Sequence, residues 1–212
     1  MTKVKICGIT NIEDALKAAE LGADALGFIF AHSPRQVKPK DIKEIVQKLP
    51  TNVIKIGVFV DADLERVKEI VKDCRLDALQ LHGKETASYC DAIKRFSSAE
   101  IIKTFHLGQE KDLKEISGYN IGIICLDSQF AGKMGGTGKL CNWNLARQAK
   151  GLGKRIILSG GLNLDNLQKA IEEVNPWMVD VCSGVEEKAR KKSWQLMKDF
   201  VSIAKEKVKN VE

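Results

Sequence analysis

The chain has 212 residues, 44% of them hydrophobic and 29% charged, enough apolar material to bury one substantial core in a single domain. No apolar run reaches the roughly 20 residues of a membrane-spanning helix, and the first apolar run carries Lys3 and Lys5 where a secretory signal would be uncharged, so a cytoplasmic protein is expected, with no membrane partner. The net charge of +6 arises from 34 basic and 28 acidic residues, and the basic cluster Lys188, Arg190, Lys191 and Lys192 is not interleaved with aromatics. It reads as the solvated start of a helix, and no nucleic-acid partner is expected.

The first element, Lys5-Ile6-Cys7, ends an apolar strand in a thiol, followed by Gly8 and then Thr10. Glu13 lies three residues beyond Thr10, a capping box that opens a helical pattern at Ile12, Ala15, Leu16 and Ala19. Strand, glycine turn and capped helix make a βα unit, and such units carry their chemistry at the carboxyl end of the strand. Seven further Val- and Ile-rich runs follow, so that strands are expected at 4–9, 25–30, 54–60, 78–83, 101–107, 121–127, 155–161 and 178–184. Each interval has room for one helix. Eight near-continuous apolar strands alternating with helices predict a single-domain (β/α)8 TIM barrel spanning 1–212. The longest interval, after the sixth strand, holds the glycine-rich segment 132–139, where an active-site loop is expected.

The polar residues at the predicted strand ends are Cys7, His32 with Arg35, Asp61, His82, His106, Asp127, Ser159-Gly160-Gly161 and Ser183-Gly184. Glycines end both the seventh and the eighth strand. They let backbone N–H groups approach an anion, and the N-termini of the following helices add their positive dipole ends, so Gly160, Gly161, Ser183 and Gly184 form a phosphate site. Cys7 and Asp127 form the second constellation. A thiol of ordinary pKa about 8.5 is a weak base at neutral pH, and Lys5, two residues deeper on the same face, favours its thiolate. Lys5 pointing into a barrel needs a counter-charge; Asp180 on the adjoining last strand is the candidate. Asp127 ends an apolar strand in a dry mouth, an environment that suits a general acid.

Six cysteines without a C-x-x-C pair favour neither a disulfide framework nor a zinc cluster, and most read as small apolar fillers. His32, His82 and His106 share no ligand spacing, so no metal site is expected; His82 reads as a polar wall of a substrate pocket.

Over essentially its whole length the chain resembles the phosphoribosylanthranilate isomerase family. The resemblance is carried by Lys5-Ile6-Cys7-Gly8-Ile9-Thr10, Gly27-Phe28, Ser33-Pro34-Arg35, Gln80-Leu81-His82-Gly83, Leu126-Asp127, Gly135-Gly136-Thr137-Gly138, Leu158-Ser159-Gly160-Gly161-Leu162, and Asp180-Val181 with Ser183-Gly184-Val185-Glu186. It implies an Amadori rearrangement of an aminoaldose to an aminoketose, with no cofactor and a small phosphorylated substrate. Asp127 is implied as the general acid that opens the sugar ring and Cys7 as the base that removes the C2 proton. Arg35 is implied as the holder of the anthranilate carboxylate, with Gly136 also at the substrate. The family contains monomers and dimers, so a homodimer is one expected assembly. The chain departs from the family pattern at Cys141-Asn142, where Phe and Asp are usual, at Cys182, where serine is common, and across 187–193. Two other classes fit part of the pattern: a metal-dependent pentulose-phosphate epimerase, which leaves Cys7 without a role, and a non-catalytic phosphate-ligand barrel.

Overall fold

Parallel pairing of eight strands into a closed ring organises the computed structural model, which describes residues 1–127 and 142–206. The strands are β1 (Lys3–Cys7), β2 (Ala25–Ile29), β3 (Ile54–Phe59), β4 (Ala78–Leu81), β5 (Glu100–His106), β6 (Ile123–Asp127), β7 (Arg155–Leu158) and β8 (Met178–Val181). Between and after them run α1 (Ile12–Glu20), α2 (Pro39–Lys48), α3 (Leu64–Cys74), α4 (Ala87–Lys94), α5 (Lys111–Ser117), α6 (Trp143–Ala149), α7 (Leu167–Val174) and α8 (Trp194–Lys205). The ring closes where β1 pairs in register with both neighbours, Lys5 standing opposite Ala25 on one side and Asp180 on the other.

Strand alternation divides the apolar residues into two layers. One set, including Val4, Ile6, Leu26, Phe28 and Leu79, packs with Met197, Phe200 and other helix residues between barrel and helices. The other, Ala25, Ile56, Ala78, Ile102, Ile123, Cys125, Ile157 and Met178, fills the barrel's lower interior. Trp177 covers that end, with Lys3 Nζ 5.2 Å and the Arg155 guanidinium 4.8 Å from its ring centre. Two aspartates that precede strands hold the lower rim: Asp24 accepts from the Val4 amide and Asp77 from the Lys55 amide, each at 2.8 Å.

The eight strands lie where the apolar runs place them, but most end one to three residues earlier than the sequence suggests. His82, Gly160, Gly161, Ser183 and Gly184 therefore stand on the loops leaving the strands. The cap of α1 also differs: Asn11, not Thr10, is extended and accepts from the Asp14 amide at 2.8 Å. Thr10 is drawn away, donating its hydroxyl to the Arg190 carbonyl at 3.0 Å. Asn142 does cap α6, accepting from the Leu145 amide.

The largest correction concerns the late basic cluster. Instead of a solvated helix start it forms an antiparallel hairpin, β9 (Glu186–Lys188) and β10 (Lys191–Lys192), and α8 begins only after Ser193. Lys192 is 1% exposed, its ammonium bound to the Glu186 carboxylate at 3.0 Å and to the Cys182 carbonyl at 2.9 Å. Arg190 turns the hairpin at φ +73° and donates to the carbonyls of Pro34 and Gln36, tying it to the loop after β2. A cluster of like charges conceals this because Lys192 finds its counter-charge six residues away in the hairpin.

Candidate active site

At the carboxyl ends of the strands lies a cavity of about 550 Å³ whose wall includes Cys7, Arg35, His82, Asp127, Asp180 and the two glycine turns. Cys7 ends β1 facing inward and is 7% exposed. Its sulfur occupies space that Gly27 leaves open: a Cβ on Gly27 would stand 2.7 Å from it and 3.1 Å from Cε of Lys5. Two residues below, Lys5 is fully buried, its ammonium 2.7 Å from Oδ2 of Asp180 and 2.8 Å from Oε1 of Gln80. Strand alternation and the β1–β8 register place this pair as the sequence suggests. Burial opposes the Lys5 charge, but Asp180 and the neighbouring thiols outweigh it and hold the ammonium above its ordinary pKa. Burial raises the Asp180 carboxyl to about 6 against the attraction of Lys5, which leaves it ionised at neutral pH.

Several groups favour the Cys7 thiolate. The neighbouring Cys182 thiol is the strongest influence; the positive charges of Lys5 and Lys192 add to it, and together they outweigh burial. The thiol therefore lies well below the ordinary cysteine value.

Across the mouth, Asp127 ends β6 and is 6% exposed. His82 Nε2 lies 3.3 Å from its Oδ2. The opposite ring nitrogen, Nδ1, lies 3.2 Å from Nε2 of Gln80 and 3.3 Å from Oγ1 of Thr104. Because Gln80 turns its carbonyl oxygen to Lys5, its amide nitrogen faces His82. A donating amide makes Nδ1 the acceptor and puts the neutral imidazole proton on Nε2, toward Asp127. One chain of contacts thus runs from Asp180 through Lys5, Gln80 and His82 to Asp127.

A second buried pair sets the loop that carries His82. Lys103, 3% exposed, approaches Glu85 at 3.2 Å and donates to the Gly83 carbonyl at 2.8 Å. Glu85 in turn accepts from the amides of Asp61 and Gly83, each at 2.9 Å, binding the loops after β3 and β4 together.

The glycine turns form the opposite wall. Gly160 and Gly161 adopt φ of +86° and +71°, which side-chain-bearing residues rarely take, and no hydrogen bond among the described residues uses their amides. A Cβ on Gly184 would meet the Leu162 carbonyl oxygen at 2.2 Å, so these two turns are packed against each other. The expectation that an α-helix starts directly after each turn is not met: α7 begins at Leu167, and a short 3-10 turn, Ser183–Val185, leads into the hairpin.

Arg35 lines the cavity with its guanidinium fork on Glu186, Nε at 2.8 Å and Nη2 at 2.6 Å from the carboxylate oxygens. Its stem crosses Gly8, where a Cβ would stand 2.8 Å from Arg35 Cδ. Burial would raise the Glu186 carboxyl, but Arg35 and Lys192 outweigh it and hold it below the ordinary glutamate value. Gly136 and the segment 132–139 lie outside the described residues. Among the described residues no three His, Cys, Asp or Glu side chains converge as metal ligands.

Most of the side chains that the sequence singles out line this one cavity, but the sequence assigns no role to Gln80, Thr104, Glu186, Lys192 or the Lys103–Glu85 pair. Gln80 carries one available signal, its place two residues before His82 on the same strand face.

The family model described as "N-(5'phosphoribosyl)anthranilate (PRA) isomerase" matches residues 4–203. An N-(5'-phosphoribosyl)anthranilate isomerase of Bacillus cereus is 46% identical over 204 residues, covering 96% of this chain and 98% of that protein. The solved structure of monomers generated from the dimeric phosphoribosylanthranilate isomerase of Thermotoga maritima aligns with a TM-score of 0.86 at 37% identity, covering 97% and 99% of the two chains. A phosphoribosylanthranilate isomerase solved in complex with reduced 1-(o-carboxyphenylamino)-1-deoxyribulose 5-phosphate gives the same score, identity and coverage. The closed eight-strand barrel and these likenesses along nearly the whole length place the chain in the phosphoribosylanthranilate isomerase family, the aldose–ketose isomerases of tryptophan biosynthesis.

Proposed function

We propose that in the family's Amadori rearrangement Asp127 is the general acid and Cys7 the general base of this chain. The observation that carries this assignment is their position at the ends of β6 and β1, lining one cavity and joined by the Lys5–Gln80–His82 contacts. Asp127 delivers its proton to the furanose ring oxygen of the phosphoribosyl group, and the C1–O bond breaks to give a Schiff base with the anthranilate nitrogen. The carboxylate left behind receives the Nε2–H of His82. The iminium acidifies the neighbouring C2–H bond, and the Cys7 thiolate takes that proton. The resulting enolamine tautomerises to the 1-amino-1-deoxyketose.

Gln80 acts in this scheme as a positioning residue, since it presents its oxygen to Lys5 and its amide to His82. The phosphate rests on the amides of Gly160, Gly161, Ser183 and Gly184. Arg35, held by Glu186, keeps one edge of its guanidinium for the anthranilate carboxylate, and Gly136 adds to the substrate site. The free thiols of Cys7, Cys74, Cys90, Cys125 and Cys182 suit the cytoplasm as the working compartment. The dimeric Thermotoga relative makes a homodimer the assembly to test by sedimentation equilibrium.

The deciding measurement follows loss of phosphoribosylanthranilate fluorescence with wild type, Cys7→Ser and Asp127→Asn. General acid–base groups contribute about 10²- to 10⁴-fold, so each variant should lose about that much kcat. Full rates in both variants would refute the assignment.

A further inference from the structure

We infer that Cys7 and Cys182 are a thiol pair at the active-site mouth that a hydroperoxide converts into a disulfide. The geometry comes from the seam that closes the barrel. Ile6 stands opposite Val181 in the last pair of the parallel β1–β8 ladder, and Cys7 and Cys182 follow directly, Cys7 ending β1 and Cys182 just past the end of β8. Neighbouring strands run about 4.8 Å apart, inside the Cα separation of about 4.4–6.8 Å that a disulfide accepts. Cys182 has the parity of Asp180, the residue that faces Lys5 inside the barrel, and both cysteines line the cavity. Two glycines make room for the sulfurs: a Cβ on Gly27 would stand 2.7 Å from Cys7 Sγ, and one on Gly8 would stand 2.8 Å from Cys182 Sγ.

The surroundings favour attack by Cys7 on a peroxide. Lys5 lies below it, and Lys192 Nζ stands 4.0 Å from Cys182 Sγ. The positive charges of Lys5 and Lys192 favour the Cys7 thiolate, so Cys7 is the nucleophile and Cys182 the thiol that resolves it. Cys74 and Cys125 contrast with this: both are buried, and burial raises their thiols, Cys74 to about 11.

In the first step the Cys7 thiolate attacks one peroxide oxygen. An S–O bond forms, the O–O bond breaks, sulfur is oxidised by two electrons, and hydroxide leaves. In the second step Cys182 loses its proton and attacks the Cys7 sulfenic sulfur. The S–S bond forms, the S–O bond breaks, and the departing hydroxide takes up that proton as water. Two thiols and one hydrogen peroxide thus yield one disulfide and two waters.

The expected loss of activity rests on Cys7 being the base; the cross-link does not. The reduced full-length protein is treated with graded hydrogen peroxide, quenched with N-ethylmaleimide, and analysed by intact mass, peptide mapping and activity before and after dithiothreitol. Expected are a mass lower by two hydrogens, a Cys7–Cys182 cross-linked peptide, and an activity loss of at least about tenfold that dithiothreitol reverses. In Cys182→Ser the cross-link is absent and dimedone traps the Cys7 sulfenic acid far more than in wild type. Wild type whose Cys7 proceeds to sulfinic acid without the cross-link, or whose Cys7 stays reduced while other thiols oxidise, overturns the inference. A cross-link that leaves activity intact supports the thiol pair and refutes Cys7 as the base.

Discussion

Two absent side chains decide where the reactive thiol sits. Gly27 leaves the space into which Cys7 projects, and Gly8 lets the Arg35 stem cross the end of β1. A methyl group at position 27 cannot be absorbed by a flexible side-chain end, because it also meets the Cys7 backbone Cα at 3.1 Å. Gly27→Ala should therefore displace the sulfur and lower kcat about 10²-fold, as misplacement of a reactive group by about 1 Å does, while overpacking costs about 1–3 kcal/mol of stability. Steady-state kinetics with urea unfolding checks both; an unchanged kcat would show that the thiol's position is not critical. At this scale the sequence reveals Cys7 and Asp127 because reactive types stand at the ends of apolar runs. Gly27 shows in the sequence as part of the family resemblance but not as a residue that makes room for the thiol, since the neighbour it accommodates lies on another strand.

At the scale of elements, the hairpin after β8 acts as a clasp at the carboxyl end of the barrel strands. Glu186 joins it to Arg35 on one flank and to Lys192 on the other, and its carboxylate is 4% exposed. Its depressed carboxyl gives the pH dependence a definite sense: the stabilisation is complete above the unfolded glutamate pKa of about 4.3 and is lost as pH falls through the lower folded value. Glu186→Gln should cost about 2–3 kcal/mol at pH 7, the worth of hydrogen bonds to charged groups, and raise KM as Arg35 is released. The stability gap between wild type and variant should be full at pH 5 and close as pH falls through the unfolded value of about 4.3 and then the lower folded value. Thermal unfolding across that range tests it, and a constant gap would mean that the pairing is not electrostatic. Helices such as α3, with Val67, Ile70 and Cys74 on one buried face, are legible from their period. The hairpin is not, because its strands hold three and two residues and Arg190 takes a left-handed turn where glycine is usual.

For the whole molecule, the seam between β1 and β8 joins the first and last strands of the barrel, and the Lys5–Asp180 pair lies inside it, its members 175 positions apart in the sequence. Removing one partner of such a buried pair costs about 3–5 kcal/mol, whereas replacing both with apolar groups is often nearly neutral. Lys5→Met should fall in that range and Lys5→Met/Asp180→Leu should recover most of the stability. Both should titrate the Cys7 thiol at higher pH than wild type, seen in the pH profile of iodoacetamide alkylation. A thiol that titrates unchanged in the double variant would remove Lys5 from the account of the base. The sequence by itself determined the eight alternating units, the end of the barrel where polar groups collect, and the identities of thiol, carboxylate and glycine turns. Periodicity, turn chemistry and strand parity are local properties of the chain. The sequence also offered Asp180 as the counter-charge of Lys5, through strand parity; only the tertiary structure decided that Gln80 joins that pair, that Lys103 meets Glu85 and that Lys192 meets Glu186. It also decided that Cys7 and Cys182 adjoin, because ring closure brings the first strand beside the last, and such pairing depends on register across the whole barrel.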